Sequence, residues 1–381
     1  MKAPIYLDYA ATTPMDARAA AAMQPYLTTV FGNPSSLYSF GRQARSAVEK
    51  ARRQTAALLH ADAQEIFFTS GGSESDNWVL KSAAERLSSR GKHIITSAIE
   101  HHAILHTCQW LERQGFRITY LQPDHEGRVS PETLRQAIRE DTVLISIMAA
   151  NNEVGTLEPI EELGNIAKEQ HILFHVDAVQ AVGHVPLDME NMPIDALSLS
   201  GHKLYGPKGV GALYLRRGIR LEPLLHGGAQ ERGLRAGTEN VPGIVGLGAA
   251  AELAAGELAA EAARLCGLRD ALIEGILALP GAWLNGSRKA RLPGNVSFGI
   301  EGISQEVLLL RLDMEGFAVS GGSACSAGSL EPSHVLLAMG QSRERAESAI
   351  RVSLGRYTAE QDTVAFLQTL RNITEEIRDV R

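Results

Sequence analysis

Lys203 stands in the segment SLSGHKLYGPKGVG, between a histidine and an apolar residue, just past an apolar run. A surface lysine needs no such setting. A lysine that must be held, desolvated and reached by a ligand does, because its amine attacks a carbonyl carbon only when burial or nearby cations lower its pKa. Other reactive side chains fall at comparable places. Gly72 and Ser73 follow EIFFTS, His101 follows HIITSAI, Asn152 follows TVLISIMAA, and Asp177 ends ILFHVD with Gln180 three residues on. Ser200, Gly201 and His202 lead directly into Lys203. Glycines followed by a hydroxyl at a helix start present free N–H groups, a favourable dipole and a hydroxyl donor, which suits a phosphate.

Two other motifs fail on spacing. Gly201 and Gly206 are followed by Pro207, so the lysine and hydroxyl of a phosphate-binding P-loop are out of register. His102 and His106 can share a helical face, but no HExxH pattern or third ligand accompanies them, and no metal site is expected.

The elements that must position these residues alternate along the chain. Strands are predicted at 65–70, 93–99, 117–122, 142–150, 172–177, 194–200 and 211–215, and helices at 74–87, 103–114, from Ser130 and at 160–170. Continuous Ile, Leu and Val runs between helices indicate a mostly parallel sheet covered on both faces. In such a sheet, ligands gather at the carboxyl ends of the strands, where the reactive residues fall. After a long helix around 243–276 the pattern becomes α+β: strand 295–300, helix 305–315, strand 351–354 and a last helix after Thr358, with Thr358 and Gln361 as a capping box. A boundary near 255 separates a large domain, 15–255, from a small one made of 1–14 and 256–381. The small one carries a loop at about 320–330.

The 381 residues are 44% hydrophobic and 21% charged, enough for large cores and against global disorder. A net charge of −7 without a basic run disfavours nucleic acid as a partner. The start, MKAPIYLDYAATTP, lacks the apolar stretch of a signal peptide, and Glu252, Glu257 and Glu261 interrupt the apolar region 241–265, so no membrane partner is expected. Cys108, Cys266 and Cys325 form neither a disulfide framework nor a zinc spacing, which fits a reducing cytoplasm.

A lysine, a strand-end aspartate, a flat histidine and a phosphate cup together suit pyridoxal 5′-phosphate. The lysine condenses with its aldehyde, the aspartate keeps the ring nitrogen protonated, and the histidine stacks on the ring. Ser73, Ser200, His202 and backbone N–H groups take the phosphate.

The chain resembles the cysteine desulfurases of the NifS/IscS kind, in the class V aminotransferase group of fold-type-I pyridoxal phosphate enzymes. YLDYAATTP, TSGGSESDN, EHHA, NNEVG, HVDAVQ, SLSGHKLYGPKGVG, RAGTENVPGIVG, SGGSACSAGSLEPSHVL and IRVSLGRYT occur in that family's order over nearly the whole length. The resemblance implies that Lys203 carries the cofactor, His101 stacks on its ring, Asp177 meets the ring nitrogen and Gln180 the ring hydroxyl. It places Asn152 beside ring and substrate, and Gly72, Ser73, Ser200, Gly201 and His202 around the phosphate. Thr238 matches a position that reaches the neighbouring subunit's phosphate, implying a homodimer with shared active sites. Arg351 matches the residue that holds the substrate carboxylate, a task suited to a guanidinium. The cup reads Gly72-Ser73 where relatives often have Ala-Thr, so its donor chemistry is kept. Some relatives dock a scaffold protein through a C-terminal extension; this sequence ends at Arg381, soon after its last helix, so that route is not expected.

Cys325 lies in SGGSACSAGS, whose flanks supply almost no apolar volume, whereas Cys108 and Cys266 fall in helical patterns and read as packed thiols. Such flanks predict an exposed, movable loop, as a nucleophile needs if it must visit a cofactor and then deliver its product elsewhere. The resemblance implies L-cysteine as substrate, alanine as product, and a persulfide on Cys325 that passes sulfur to an acceptor protein or iron–sulfur scaffold, or into tRNA or cofactor thiolation. Lys203 would take the Cα proton, with His101 as a further proton carrier. A selenocysteine lyase or a transaminase on the same scaffold is the nearest rival; transamination needs no loop thiol, and a lyase would turn over selenocysteine with cysteine acting only as an inhibitor. A non-catalytic relative would be expected to lack Lys203 or Cys325.

Overall fold

The computed structural model describes residues 4–321 and 332–379. Its centre is a seven-stranded sheet: β1 (Ile66–Thr69), β2 (His93–Ser97), β3 (Arg117–Leu121), β4 (Thr142–Ser146), β5 (Leu173–Asp177), β6 (Ala196–Ser200) and β7 (Gly211–Leu215). The spatial order is β1-β7-β6-β5-β4-β2-β3. All neighbours from β3 to β6 are parallel, while β7 runs against both β6 and β1. The sheet is therefore mixed and mainly parallel, the α/β architecture expected.

Successive strand residues point to opposite faces, and each face has its own core. Ile95, Ile145, Leu197 and Tyr214 pack on one side with helices Ser39–Leu58, Ile160–Glu169 and the first part of Val241–Leu277. Ile94, Leu144, Ala196 and Leu213 pack on the other with helices Gly72–Leu87 and His102–Arg113. Burial on both faces is why these strands carry apolar residues towards both sides, with a few buried polar ones among them.

A second core forms around the antiparallel strands Ala282–Asn285, Asn295–Ile300 and Ala349–Ser353, covered by helices Gln305–Met314 and Glu360–Asp379. Helix Val241–Leu277 serves both cores. Val241–Ala251 joins the central-sheet core and Leu265–Ile276 the smaller one, so residue 255 lies in the stretch between. It is the one helix among the described residues long and apolar enough to cross a membrane, and it packs here on helices Ala17–Thr28 and Ser39–Leu58. The N-terminal segment also joins the smaller core. Ile5–Tyr6 pairs with Phe317–Ala318, and Leu7 is fully buried.

Several expectations shift. Strand 142–150 ends at Ser146, beyond which Ile147 and Ala149 donate to His175 and Asp177 carbonyls outside the regular ladder. The capping box at Thr358 does not form. Thr358 Oγ1 instead accepts from Gly355 N–H, and Asp362 accepts from Ala359 N–H. Helices Ala17–Thr28 and Ser39–Leu58 were not expected from the sequence.

Candidate active site

At the carboxyl ends of β2, β4, β5 and β6 the chain walls a cavity of about 250 Å³. The chain order reverses between β2 and β4, and such a switch point leaves a crevice between loops that depart in opposite directions. Gly72, Ser73, His101, Asn152, Asp177, Gln180, Ser200, His202, Lys203 and Arg351 all line it.

The cup is built by the turn from β1 into helix Gly72–Leu87. Gly71 precedes the helix at φ 153 and supplies no side-chain cap, so the first N–H groups face outward. A Cβ on Gly72 would stand 2.5 Å from Val179 Cγ2, so the glycine lets this turn pack against the Val179 side chain of the loop after β5, and an alanine here would need that side chain to shift. Ser200, buried at the end of β6, and His202 complete the donor set. Burial, with Lys203 and Lys208 nearby, lowers His202 to about 4, so its ring is neutral and hydrogen-bonds rather than carrying charge. Gly201 does not line the cavity. It makes the turn, accepting from Leu204 and Gly206 N–H groups, and a Cβ there would meet the Pro207 carbonyl at 2.9 Å.

Lys203 ends the short helical turn Gly201–Lys203. Its Nζ donates to the carbonyls of Ala10 and Ala11, the latter at 2.9 Å. Gln180 Nε2 donates to the same Ala10 carbonyl at 3.0 Å. The N-terminal segment thus crosses the mouth and orients both side chains, a tertiary contact that local sequence does not announce.

Asp177, the last residue of β5, accepts from Val179 N–H at 2.9 Å. Burial raises its carboxyl to about 6, against the opposing pull of the Val179 bond and of Lys203. The folded carboxyl therefore binds its proton more tightly than the unfolded one. The resulting cost is absent below about pH 4, grows as pH rises towards 6 and is complete above it. In the cofactor-free protein, Asp177→Asn should then be the more stable form at pH 8, with little difference at pH 4. Urea unfolding at the two pH values checks this; a wild type more stable than the variant at pH 8 would refute it.

His101 caps helix His102–Arg113 through Nδ1, which accepts from Ala103 N–H at 3.1 Å. That bond puts the neutral ring's proton on Nε2. Burial first, then Lys203 and the neighbouring histidines, lowers its pKa and holds it neutral. Arg351, on strand Ala349–Ser353 and 1% exposed, donates to Asp8 Oδ1 and to the Asn152 carbonyl, each at 2.8 Å. Its guanidinium is thus fixed at the cavity wall.

Thr238 is exposed and off the cavity, in the segment that Arg235 ties to Glu74 of the cup's helix at 2.9 Å. Cys325 lies outside the described residues. The described chain on either side of that segment borders the site: Ser320 pairs with Arg351 through backbone bonds, and Ser333 donates to Glu153 at 2.5 Å. Neither Cys108 nor Cys266 lines the cavity, and burial pushes the Cys108 thiol well up.

The cavity also holds Asp76, His102, Glu153 and His334, which the sequence reading did not place there. Asp76 had a usable signal, since its spacing from Gly72 puts it one turn along the same helix face. His334 is adjacent only through the tertiary fold.

The residues present fit pyridoxal phosphate. An outward-facing helix N-terminus with hydroxyl donors suits the phosphate, a lysine lines the same cavity, and a buried carboxylate there suits a protonated ring nitrogen. The family description "Aminotransferase class-V" matches residues 5–366. The chain is 54% identical to "Cysteine desulfurase IscS" of Methanosarcina thermophila over 99% of its own length and 93% of the relative's. Among solved structures it superposes on a "NifS-like protein" with TM-score 0.92 and 41% identity, over 98% and 99% of the two chains. It superposes on "SspA in complex with cysteine" with TM-score 0.83 and 40% identity, over 93% and 99%.

Proposed function

Since the chain belongs to the class V aminotransferase family, among its cysteine desulfurases, we propose that this cavity binds pyridoxal phosphate and releases the sulfur of L-cysteine onto Cys325. The observation that carries the reading is the meeting of Lys203, Asp177, His101 and Arg351 around the helix N-terminus at Gly72 and Ser73.

The bound cofactor supplies an aldehyde that captures the substrate amine and a conjugated ring that takes up the charge left at Cα. Ser73, Ser200, His202 and the first helical N–H groups hold its phosphate. Asp177 would meet the ring nitrogen, Gln180 the ring hydroxyl, and neutral His101 would offer the ring a flat face. Arg351 and Asn152 hold the substrate carboxylate. Lys203 takes the Cα proton. Cys325 thiolate attacks the substrate sulfur, so an S–S bond forms as the substrate C–S bond breaks. The electron pair of that bond stays with carbon, which gains a proton and becomes the methyl group of alanine. The balance is L-cysteine plus enzyme thiol giving L-alanine plus enzyme persulfide. His101 Nε2 is a proton carrier in that exchange, and an acceptor thiol then collects the sulfur.

The working form is a homodimer in the cytoplasm. An exposed apolar patch, Leu27, Phe31, Leu37, Tyr38 and Phe40, supports the first point, with Phe31 and Phe40 stacked at 5.6 Å. Thr238, exposed and off its own cavity, fits a contact to the neighbouring subunit's phosphate.

Feeding L-cysteine to the loaded protein should give alanine and, with a reductant, sulfide in equal amounts, and mass spectrometry should find the added sulfur on Cys325. A keto acid as product would point to transamination. Added sulfur only on Cys108 or Cys266 would overturn the assignment of Cys325.

A further inference from the structure

Asp177 has a second carboxyl group beside it that none of the steps above uses. Asp76, on helix Gly72–Leu87, is 1% exposed and lines the same cavity. A line of neutral groups passes it across three adjacent strands. Ser146 Oγ bonds His175 Nδ1 at 2.9 Å, and His175 Nε2 bonds Ser198 Oγ at 3.0 Å. Ser198 also stands near the Asp76 carboxyl. Asp76 Oδ1 itself has no hydrogen-bond partner and stands 3.7 Å from His175 Nε2.

The charges around this carboxyl decide its state. Strand β5 presents Asp177 and His175, strand β6 presents Ser198, and the turn before helix His102–Arg113 presents Glu100, itself fully buried. Burial holds His175 neutral, at about 3, so it is no counter-ion. Lys203 lines the same cavity and acts on Asp177. Two ionised carboxylates side by side in a dry site repel strongly, and one cation neutralises only one of them. Burial and Asp177 both push the Asp76 carboxyl well up, in keeping with this.

We propose that Asp76 is a positioning residue for Asp177: a neutral carboxylic acid that keeps the pair at one negative charge and steadies the carboxylate that meets the ring nitrogen of bound pyridoxal phosphate. The proposal rests on the role given to Asp177 above. It makes the turn-and-a-bit from Gly72 to Asp76 a single device, with the phosphate at one end of the helix turn and the ring's proton balance at the other.

Asp76→Asn replaces one neutral hydrogen-bonding group by another of the same shape. Asp76→Leu keeps the bulk and removes the polarity. The asparagine form should hold pyridoxal phosphate within about threefold of wild type, with an unchanged pH dependence of the bound cofactor's absorbance. The leucine form should bind about ten- to a hundredfold more weakly, with that pH dependence displaced. Infrared spectroscopy of the full chain, with the aspartate carboxyls carbon-13 labelled, reads the proton directly. At pH 8 we expect a label-shifted carboxylic acid band, with and without cofactor, that disappears in Asp76→Asn and persists in Asp195→Asn. If Asp76→Asn folds poorly, loss of the band in Asp76→Leu gives the same assignment. Absence of a labelled acid band at pH 8 in protein that has taken up its cofactor overturns this proposal and leaves the reading of Asp177 standing. A band that survives in Asp76→Asn overturns it equally. A chain that takes up no pyridoxal phosphate overturns both.

Discussion

Lys203→Ala is expected to reduce alanine formation from L-cysteine by about 10⁴-fold or more. Two functions are lost together. The amine that anchors the aldehyde is gone, and so is the base that takes the Cα proton. A positioned base alone contributes about 10²–10⁴-fold, and loss of the covalent anchor adds to that. The fold should survive the change. Lys203 is only partly buried, and its hydrogen bonds go to the Ala10 and Ala11 carbonyls at the cavity mouth, where Gln180 still reaches Ala10. The variant should therefore unfold at nearly the wild-type temperature while failing to retain a bound chromophore on desalting. A variant that keeps wild-type turnover would contradict the assignment of Lys203.

The second large effect belongs to Cys325. Cys325→Ser is expected to lower sulfide release by about 10³-fold or more, because a serine hydroxyl is scarcely ionised at neutral pH and cannot hold the persulfide. Cofactor uptake should be unchanged, since the groups proposed to hold the cofactor are elsewhere. Cys266→Ser should remain within about twofold of wild type, because Cys266 does not line the cavity. The described residues on either side of Cys325's segment border the cavity. Ser320 and Ser333, on either side of that segment, are tied to Arg351 and Glu153 of the cavity wall. Equal sulfide release by Cys325→Ser and wild type would contradict the mechanism.

The central sheet was legible because its strands are buried on both faces. β2 centres on Ile94 and Ile95, β4 on Val143, Leu144 and Ile145, and β5 on Leu173 and Phe174, and the strand ends lie next to the reactive residues. Helix Ser39–Leu58 was not legible. It packs through Ala44, Ala47, Val48 and Ala51, small residues whose apolar stripe is faint beside its many charges. Ile5–Tyr6 and Phe317–Ala318 are two-residue strands with meaning only as a pair distant in sequence. The capping box at Thr358 failed because Asp362 and Gly355 offered its groups other partners. At the site, strand-end side chains could be read from sequence, whereas the Ala10 and Ala11 carbonyls could not, being backbone groups brought in by the fold.

The account depends most on which amine holds the cofactor. Borohydride reduction of the loaded protein, followed by peptide mapping, fixes the carbon–nitrogen link permanently and reports its residue. The adduct is expected on the peptide containing Lys203 and nowhere else. An adduct on another lysine, or no adduct in protein that has been given pyridoxal phosphate, would contradict the account.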